Sequence, residues 1–215
     1  YLITGGAGFL GHAILAASPL WPLATYHVLS RDETKHEELR RRFPDVHTVI
    51  GDVRDRDLVD SLVRGMDLVI HAAAVKYVDE AERNVSEAIA VNVGGTEAVL
   101  RACARAGVPR VVFISTDKAT APINTYGASK LLGERLVGEY ARRWPNTAFT
   151  AVRYGNVTGS TGSVTWKWWH SIQSDGSVTL TDPDMTRFWM SPSEAVAAIV
   201  EATKVTSGGV LKGAR

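Results

Sequence analysis

Cysteine occurs once in these 215 residues, methionine three times, and no apolar run approaches the length that a membrane-spanning helix requires. The lone Cys103 excludes an internal disulfide framework and a multi-cysteine metal cage. Set with Val99 and Leu100 at helical spacing, it reads as a small buried side chain. A chain without disulfides fits the cytoplasm. Charge of one sign is also lacking: 24 Lys and Arg stand against 23 Asp and Glu, a formal net charge of +1. That balance argues against nucleic acid and against a membrane surface as partners. Arg40, Arg41 and Arg42 form the one dense basic run, and acidic neighbours mark it as a solvated helix face. The first residues do not read as a signal peptide. Tyr1 already stands inside an apolar strand, so a few residues are expected to precede it.

What is present is an alternation. Tyr1–Thr4, Tyr26–Ser30, His47–Ile50, Leu68–His71, Val111–Ser115 and Ala148–Arg153 are short, rich in branched residues and end in polar or small ones, as buried parallel strands do. Thr34–Arg42, Asp55–Val63, Ser86–Ala106 and Tyr126–Arg143 carry helical spacing; Leu58, Val59, Leu62 and Val63 form one apolar stripe. The pattern predicts an α/β fold, a doubly wound parallel sheet covered by helices on both faces. After Arg153 it loosens. Gly155, Gly159 and Gly162 punctuate a loop, and Trp166, Trp168 and Trp169 crowd a short helix. Asp182-Pro183-Asp184 makes a turn, and Ser193–Thr203 reads as a last helix with a serine cap. The expected division is a domain over residues 1–153 and a small substrate-facing lobe over 154–215, interleaved with it.

Thr4-Gly5-Gly6-Ala7-Gly8-Phe9-Leu10-Gly11 follows a strand and opens a helix. Gly5 suits the tight turn, Gly8 the approach of a pyrophosphate to backbone, and Gly11 the packing of helix on sheet. The helix start, with Phe9 and Leu10, presents unpaired N–H groups to phosphates. Strand, turn and helix together predict a dinucleotide site of the Rossmann type. The next strand ends in Ser30-Arg31-Asp32, where the adenosine ribose is read. Arg31 and the nearby Lys35 favour the 2′-phosphate of NADP, whereas Asp32 keeps NAD open. Asp52 and Val53 suit the adenine edge, although Asp52 serves equally well as a helix cap. A solitary glycine trio is weak evidence; its context gives it weight.

Tyr126-Gly127-Ala128-Ser129-Lys130 puts a tyrosine and a lysine four residues apart, hence on one helix face. An ammonium beside a phenol lowers the phenol's pKa towards neutrality, so that it can take a proton from an alcohol. Thr116, at the end of the fifth strand, would complete a proton-handling group. Asp117 and Lys118 follow it. Oxidation of an alcohol needs no further acid and base, but elimination of water needs both. The plain alternative for these two is a loop ion pair, or a turn capped by Asp117.

Several segments together resemble one family. They are Gly51-Asp52-Val53-Arg54-Asp55, His71-Ala72-Ala73-Ala74-Val75-Lys76, Ser115-Thr116-Asp117-Lys118-Ala119, Pro122-Ile123-Asn124-Thr125-Tyr126-Gly127, Arg153-Tyr154-Gly155-Asn156-Val157 and Thr181-Asp182-Pro183-Asp184-Met185-Thr186-Arg187-Phe188-Trp189. The chain is similar to extended short-chain dehydrogenases, and within them to inverting UDP-N-acetylglucosamine 4,6-dehydratases of polysaccharide biosynthesis. The resemblance implies that Ala72, Ala73 and Ala74 line the cofactor and that Lys130 reaches the nicotinamide ribose. It implies that Tyr126 takes the proton of the sugar 4-hydroxyl as carbon 4 is oxidised. Lys118 would then remove the proton of carbon 5, and Asp117 would protonate the leaving 6-hydroxyl. Lys76, Asn156 and Arg187 become candidates for a UDP-sugar, with Arg187 suited to the diphosphate. A homo-oligomer joined through Ser86–Ala106 and Tyr126–Arg143 is expected on the same ground.

Two departures stand out. Ser160-Thr161-Gly162-Ser163 lacks the arginine common in the family loop, and the Trp166-Lys167-Trp168-Trp169 run replaces Phe and Lys positions; its tryptophans are expected in the core or an oligomer contact. Relatives of this kind also continue well beyond Arg215. A nucleotide-sugar 4-epimerase, using Tyr126 and Lys130 without Asp117 and Lys118, is the nearest alternative. A non-catalytic cofactor sensor on the same fold is the second.

Overall fold

The computed structural model describes residues 1–180 and 182–205, and the backbone of 211–213; Thr181 of the resembling segment lies outside the described residues. In chain order the strands are β1 Leu2–Thr4, β2 His27–Ser30, β3 His47–Ile50, β4 Leu68–His71, β5 Arg110–Ile114, β6 Ala148–Arg153, β7 Asn156–Val157, β8 Trp189–Met190 and β9 Leu211–Gly213. The α-helices are α1 Phe9–Ala16, α2 Glu33–Arg42, α3 Arg56–Leu62, α4 Val78–Arg83, α5 Val85–Ile89, α6 Thr96–Ala106, α7 Thr125–Arg143, α8 Val164–Asp175 and α9 Pro192–Thr203.

Seven strands form one sheet in the order β3-β2-β1-β4-β5-β6-β9, and every pairing is parallel. This is the doubly wound arrangement expected from the alternation. Along each strand, side chains divide between two faces. Leu2, Val69, Val111 and Phe113 join Val59, Val99, Leu100, Cys103 and Val137 on one face. Ile3, Val28, Ile70, Val112 and Ile114 join Ile14, Leu39, Val196 and Ile199 on the other. Cys103 is buried, as its spacing predicts. Strand order reverses between β1 and β4, and the crevice beyond their carboxyl ends is where such sheets bind ligands.

Helix starts follow side-chain chemistry. Asp32 caps α2, Asp55 caps α3 and Asn124 caps α7, each accepting a backbone N–H of the first turn. The expected cap at Ser193 is displaced to Ser191: Pro192 occupies the first helical position and Glu194 closes a capping box with Ser191. The single helix expected over Ser86–Ala106 is broken into α5 and α6 by a π-helical turn, Ala90–Gly95. The first-turn residues of α4 follow the 72–76 segment directly, an element the sequence pattern did not indicate.

Beyond β6, the pair β7–β8 and α8 build out over the crevice, whereas α9 returns to pack on α1 and β6. Of the two places expected for the tryptophans, the core of the chain is not the one they take. No residue of α8 is buried, and Trp169 is 60% exposed. Trp168 instead lines the crevice.

Candidate active site at the carboxyl end of the sheet

Gly5 lies at φ +69°, a left-handed conformation that suits glycine, and a Cβ there would meet Ala73 N at 2.7 Å. Gly8 begins α1 without a side-chain cap, so the first-turn amides of Phe9 and Leu10 are left to the crevice. A Cβ on Gly11 would sit 1.8 Å from Gly6 O, so only glycine lets α1 close on the turn. The crevice has a volume of about 1210 Å³ and includes Gly5, Gly8, Phe9, Leu10, Ala72, Ala73, Ala74, Lys76, Tyr126 and Lys130. A close-approach glycine turn, an uncapped helix start and a cleft of this size fit a dinucleotide.

At the adenosine end, Ser30, Arg31, Asp32, Lys35, Asp52 and Val53 share a smaller recess with Gly5 and Ala73. None of the charged groups stands alone there. Asp52 accepts three bonds from Arg54, from N at 2.9 Å, Nε at 3.0 Å and Nη2 at 2.7 Å. Those bonds hold its carboxyl below the usual range. The cap of α3 is Asp55, not Asp52. Arg31 pairs with Asp52 at 3.5 Å and with Glu87 at 3.4 Å, and Glu87 also holds Arg54 at 2.8 Å. Lys35 pairs with Asp32 at 2.9 Å, while Asp32 also accepts the Lys35 amide. The Ser30 hydroxyl lies 2.6 Å from His36 Nε2. Arg54 and Glu87 were not singled out in the sequence, because their pairing joins residues 33 positions apart, Glu87 of α5 meeting Arg31 and Arg54 from the segments after β2 and β3.

At the other end, α7 carries Tyr126 and Lys130 beneath the tip of β5. Gly127 allows α7 to press on the Lys118 carbonyl, where a Cβ would come within 2.4 Å. Lys130 is 2% exposed, donates to Ile114 O at 2.8 Å and lies 4.6 Å from the Phe113 ring centre. Burial lowers its ammonium to about 7, with the charge of Glu134 opposing. Tyr126 departs from expectation. Burial pushes its phenol up to about 12, a hydrogen bond with Thr116 pulls it down, and the charge of Asp117 raises it further. Lys130 does not depress it: with its own pKa held at about 7, the amine has lost its charge well before a phenol of this affinity ionises.

Thr116 Oγ1 donates to Asp117 Oδ1 at 2.9 Å, and Lys118 Nζ donates to the same oxygen at 3.1 Å. Lys118 Nζ also donates to Asn156 Oδ1 at 3.1 Å. Thr116, Asp117, Lys118 and Asn156 are therefore one connected group, joined through Thr116 to Tyr126. Two other candidates are engaged elsewhere: Lys76 Nζ donates to Thr161 O at 3.1 Å, and Arg187 donates to its neighbour's carbonyl at 2.7 Å. Burial lowers the Lys76 ammonium, and the charge of Lys35 lowers it further. Arg187 and Asn156 both line the crevice.

Asn92, in the π-helical turn, was not singled out in the sequence. It is fully buried, accepts the Val75 amide at 2.7 Å, and donates to Val75 O at 3.0 Å and Ser129 Oγ at 2.9 Å. Ser129 in turn donates to Tyr126 O at 2.8 Å. The turn thus ties the 72–76 wall of the crevice to α7. Glu134, also unforeseen, holds Arg153 through two bonds of 2.8 and 2.6 Å and accepts Ser115 Oγ. Among the described residues, no helix is long and apolar enough to cross a membrane, and no group of three or more His, Cys, Asp or Glu could hold a metal ion.

A family model described as polysaccharide biosynthesis protein matches residues 1–211. An uncharacterized membrane protein of Methanocaldococcus jannaschii is 40% identical over 212 residues, which are 97% of this chain and 64% of that protein. A UDP-glucose 4-epimerase of Rickettsia bellii is 40% identical over 209 residues, 94% of this chain and 61% of its own. The chain thus spans slightly less than two thirds of the length of these curated relatives. Among solved structures, Pen from Bacillus thuringiensis matches with a TM-score of 0.93 at 37% identity, covering 98% of this chain and 67% of that one. DesIV, a dTDP-glucose 4,6-dehydratase from Streptomyces venezuelae solved with NAD and TYD bound, matches with a TM-score of 0.84 at 26% identity, covering 99% and 74%. In sequence and in architecture, the chain belongs to the polysaccharide biosynthesis protein family, on the fold of the extended short-chain dehydrogenases.

Proposed function

We propose that this chain carries the cofactor site and catalytic groups of a nucleotide-sugar 4,6-dehydratase, an NADP-dependent lyase acting on a UDP-N-acetylhexosamine. One observation carries the reading: the acid–base pair Asp117–Lys118 is joined to the Tyr126 hydroxyl through Thr116, and Thr116, Lys118 and Tyr126 line a single crevice. Gly5, Gly8, Phe9, Leu10, Gly11 and Ala72–Ala74 would hold the dinucleotide, with Ser30, Arg31, Lys35, Asp52 and Val53 at its adenosine end. When bound, the nicotinamide supplies reversible hydride acceptance. Asn156 and Arg187, from the lobe expected to begin at residue 154, would receive the UDP-sugar together with Lys76.

The side chains account for the protons. Tyr126 takes the proton of the 4-hydroxyl and passes it through the Thr116 hydroxyl to Asp117. Lys118, as the amine, removes the proton of carbon 5, which the new ketone has acidified. Asp117 then protonates the 6-hydroxyl, which departs as water. A proton returned to carbon 5 completes the balance, and the sugar loses one water. Asp117 enters the cycle as the carboxylate and Lys118, 3.1 Å away, as the free amine; the 4-hydroxyl proton makes Asp117 the acid, and departure of water and reprotonation of carbon 5 restore both forms.

The test is direct. Purified protein incubated with UDP-N-acetylglucosamine and catalytic NADP is expected to give a product lighter by one water in mass spectrometry. Lys118→Ala is expected to abolish that product while retaining NADP binding; a fully active variant would defeat the mechanism. The Rickettsia relatives favour a second reading, a UDP-sugar 4-epimerase. It requires unchanged mass, an altered stereocentre, and activity that survives loss of Lys118. A cofactor sensor would turn over no nucleotide-sugar.

A further inference from the structure

His71, Thr4, Thr96 and Asn92 are all fully buried, and they form a polar seam through the middle of an otherwise apolar core. Thr96 Oγ1 donates its single proton to Asn92 O at 2.6 Å. Its 3.0 Å contact with His71 Nε2 must therefore be donated by the imidazole. Nε2 then carries the proton, Nδ1 is bare, and Thr4 Oγ1 donates to Nδ1 at 2.6 Å. With its proton so directed, the Thr4 oxygen presents lone pairs to the Ala73 amide, which donates to it at 3.3 Å. One direction runs through the whole seam: Ala73 N–H to Thr4, Thr4 to His71, His71 to Thr96, Thr96 to the Asn92 carbonyl.

We infer that His71 is a positioning residue for the dinucleotide site: as the neutral Nε2–H tautomer it fixes the Thr4 hydroxyl and so holds the glycine turn against the Ala72–Ala74 wall. Thr4 immediately precedes Gly5, and Ala73 is the residue that a Cβ on Gly5 would strike. The Ala72 amide also bonds to Thr4 O at 3.0 Å, so both backbone and side chain of Thr4 register the two loops. At its far end the seam reaches the π-helical turn and, through Asn92, the Val75 backbone. Burial and then the Lys130 charge lower the imidazole to about 3, in keeping with a ring that stays neutral. A phenylalanine or leucine of similar bulk would fill the space but would leave the Thr4 hydroxyl proton without its acceptor and the Thr96 oxygen without its donor.

The inference rests on the reading that the crevice takes NAD or NADP, and its test separates the two. Nitrogen-15 NMR of histidine-labelled protein between pH 5 and 9 is expected to show His71 as the Nε2–H tautomer without titration; an Nδ1–H ring or an imidazolium would overturn the inference. Thr96→Val removes the acceptor of the Nε2 proton although it lies on the side of the ring away from the glycine turn. It is expected to shift the tautomer and weaken dinucleotide binding about tenfold, whereas Thr96→Ser, which keeps the hydroxyl, binds within twofold of wild type. Binding is measured by calorimetry at a temperature where all three proteins are folded. If Thr96→Val binds as tightly as wild type, His71 does not position the site. If wild type itself binds neither NAD nor NADP, it is the cofactor reading that fails, and the positioning role fails with it.

Discussion

At Lys130 burial and charge are in conflict. An ammonium with an ordinary pKa of about 10.4 in the unfolded chain is held at about 7 in the fold. Below pH 7 the folded protein must bury the charge, and the cost is fully present. As pH rises from 7 towards about 10 the unfolded chain binds more protons than the folded one, so the cost is relieved. Lys130→Met is therefore expected to raise the melting temperature of the cofactor-free protein more at pH 6 than at pH 9, as read by scanning fluorimetry. An equal gain at both values would show that the lysine is not strained. Tyr126 behaves oppositely: a phenol pushed to about 12 remains protonated throughout this range. The spacing of Tyr126 and Lys130 was legible in the sequence because four residues make one helical turn. Their proton affinities were not, since these depend on the depth of the cleft and on the Ile114 carbonyl that captures the ammonium.

Elements were legible where a local rule sets them. Six strands fall within a residue of expectation, because short branched runs between polar ends can bury both faces only in a parallel sheet. The π-helical turn was not legible: the apolar spacing of residues 86–106 suits an unbroken helix, and only Gly94-Gly95 hints at a change. Its role comes from the third dimension, where Asn92 satisfies both backbone groups of Val75. Asn92→Leu is expected to lower stability by roughly 2–3 kcal/mol, the cost of leaving such buried groups unpaired, and to reduce turnover. Urea denaturation and steady-state kinetics check the two effects. The cap of α9 was readable in hindsight, since Ser191-Pro192-Ser193-Glu194 contains both halves of a capping box.

For the molecule as a whole, the crevice joins residues from nearly every crossover of the sheet, so occupancy and folding are linked. NADP at one hundred times its dissociation constant is expected to add about 2.7 kcal/mol of stability, seen as a rise of several degrees in melting temperature. Arg31→Ala is expected to weaken NADP at least tenfold while changing NAD little. Equal losses for both would remove the basis for preferring NADP. The ion pairs that Arg31 makes with Asp52 and Glu87 lie at the surface, so salt should narrow the difference.

The position of β1 has a kinetic consequence. It is three residues long, lies between β2 and β4, and its partners for Leu2 are His27 and Val69. The middle of the sheet therefore cannot close until two distant segments have been gathered, each at the expense of chain entropy. During synthesis, Leu2–Thr4 emerge before both partners and must wait for β2 on one side and then for β4 on the other. Such non-local pairing makes for slow folding, and the glycine turn, which hangs from β1 and meets Ala72 and Ala73, takes its final shape only once β4 has joined.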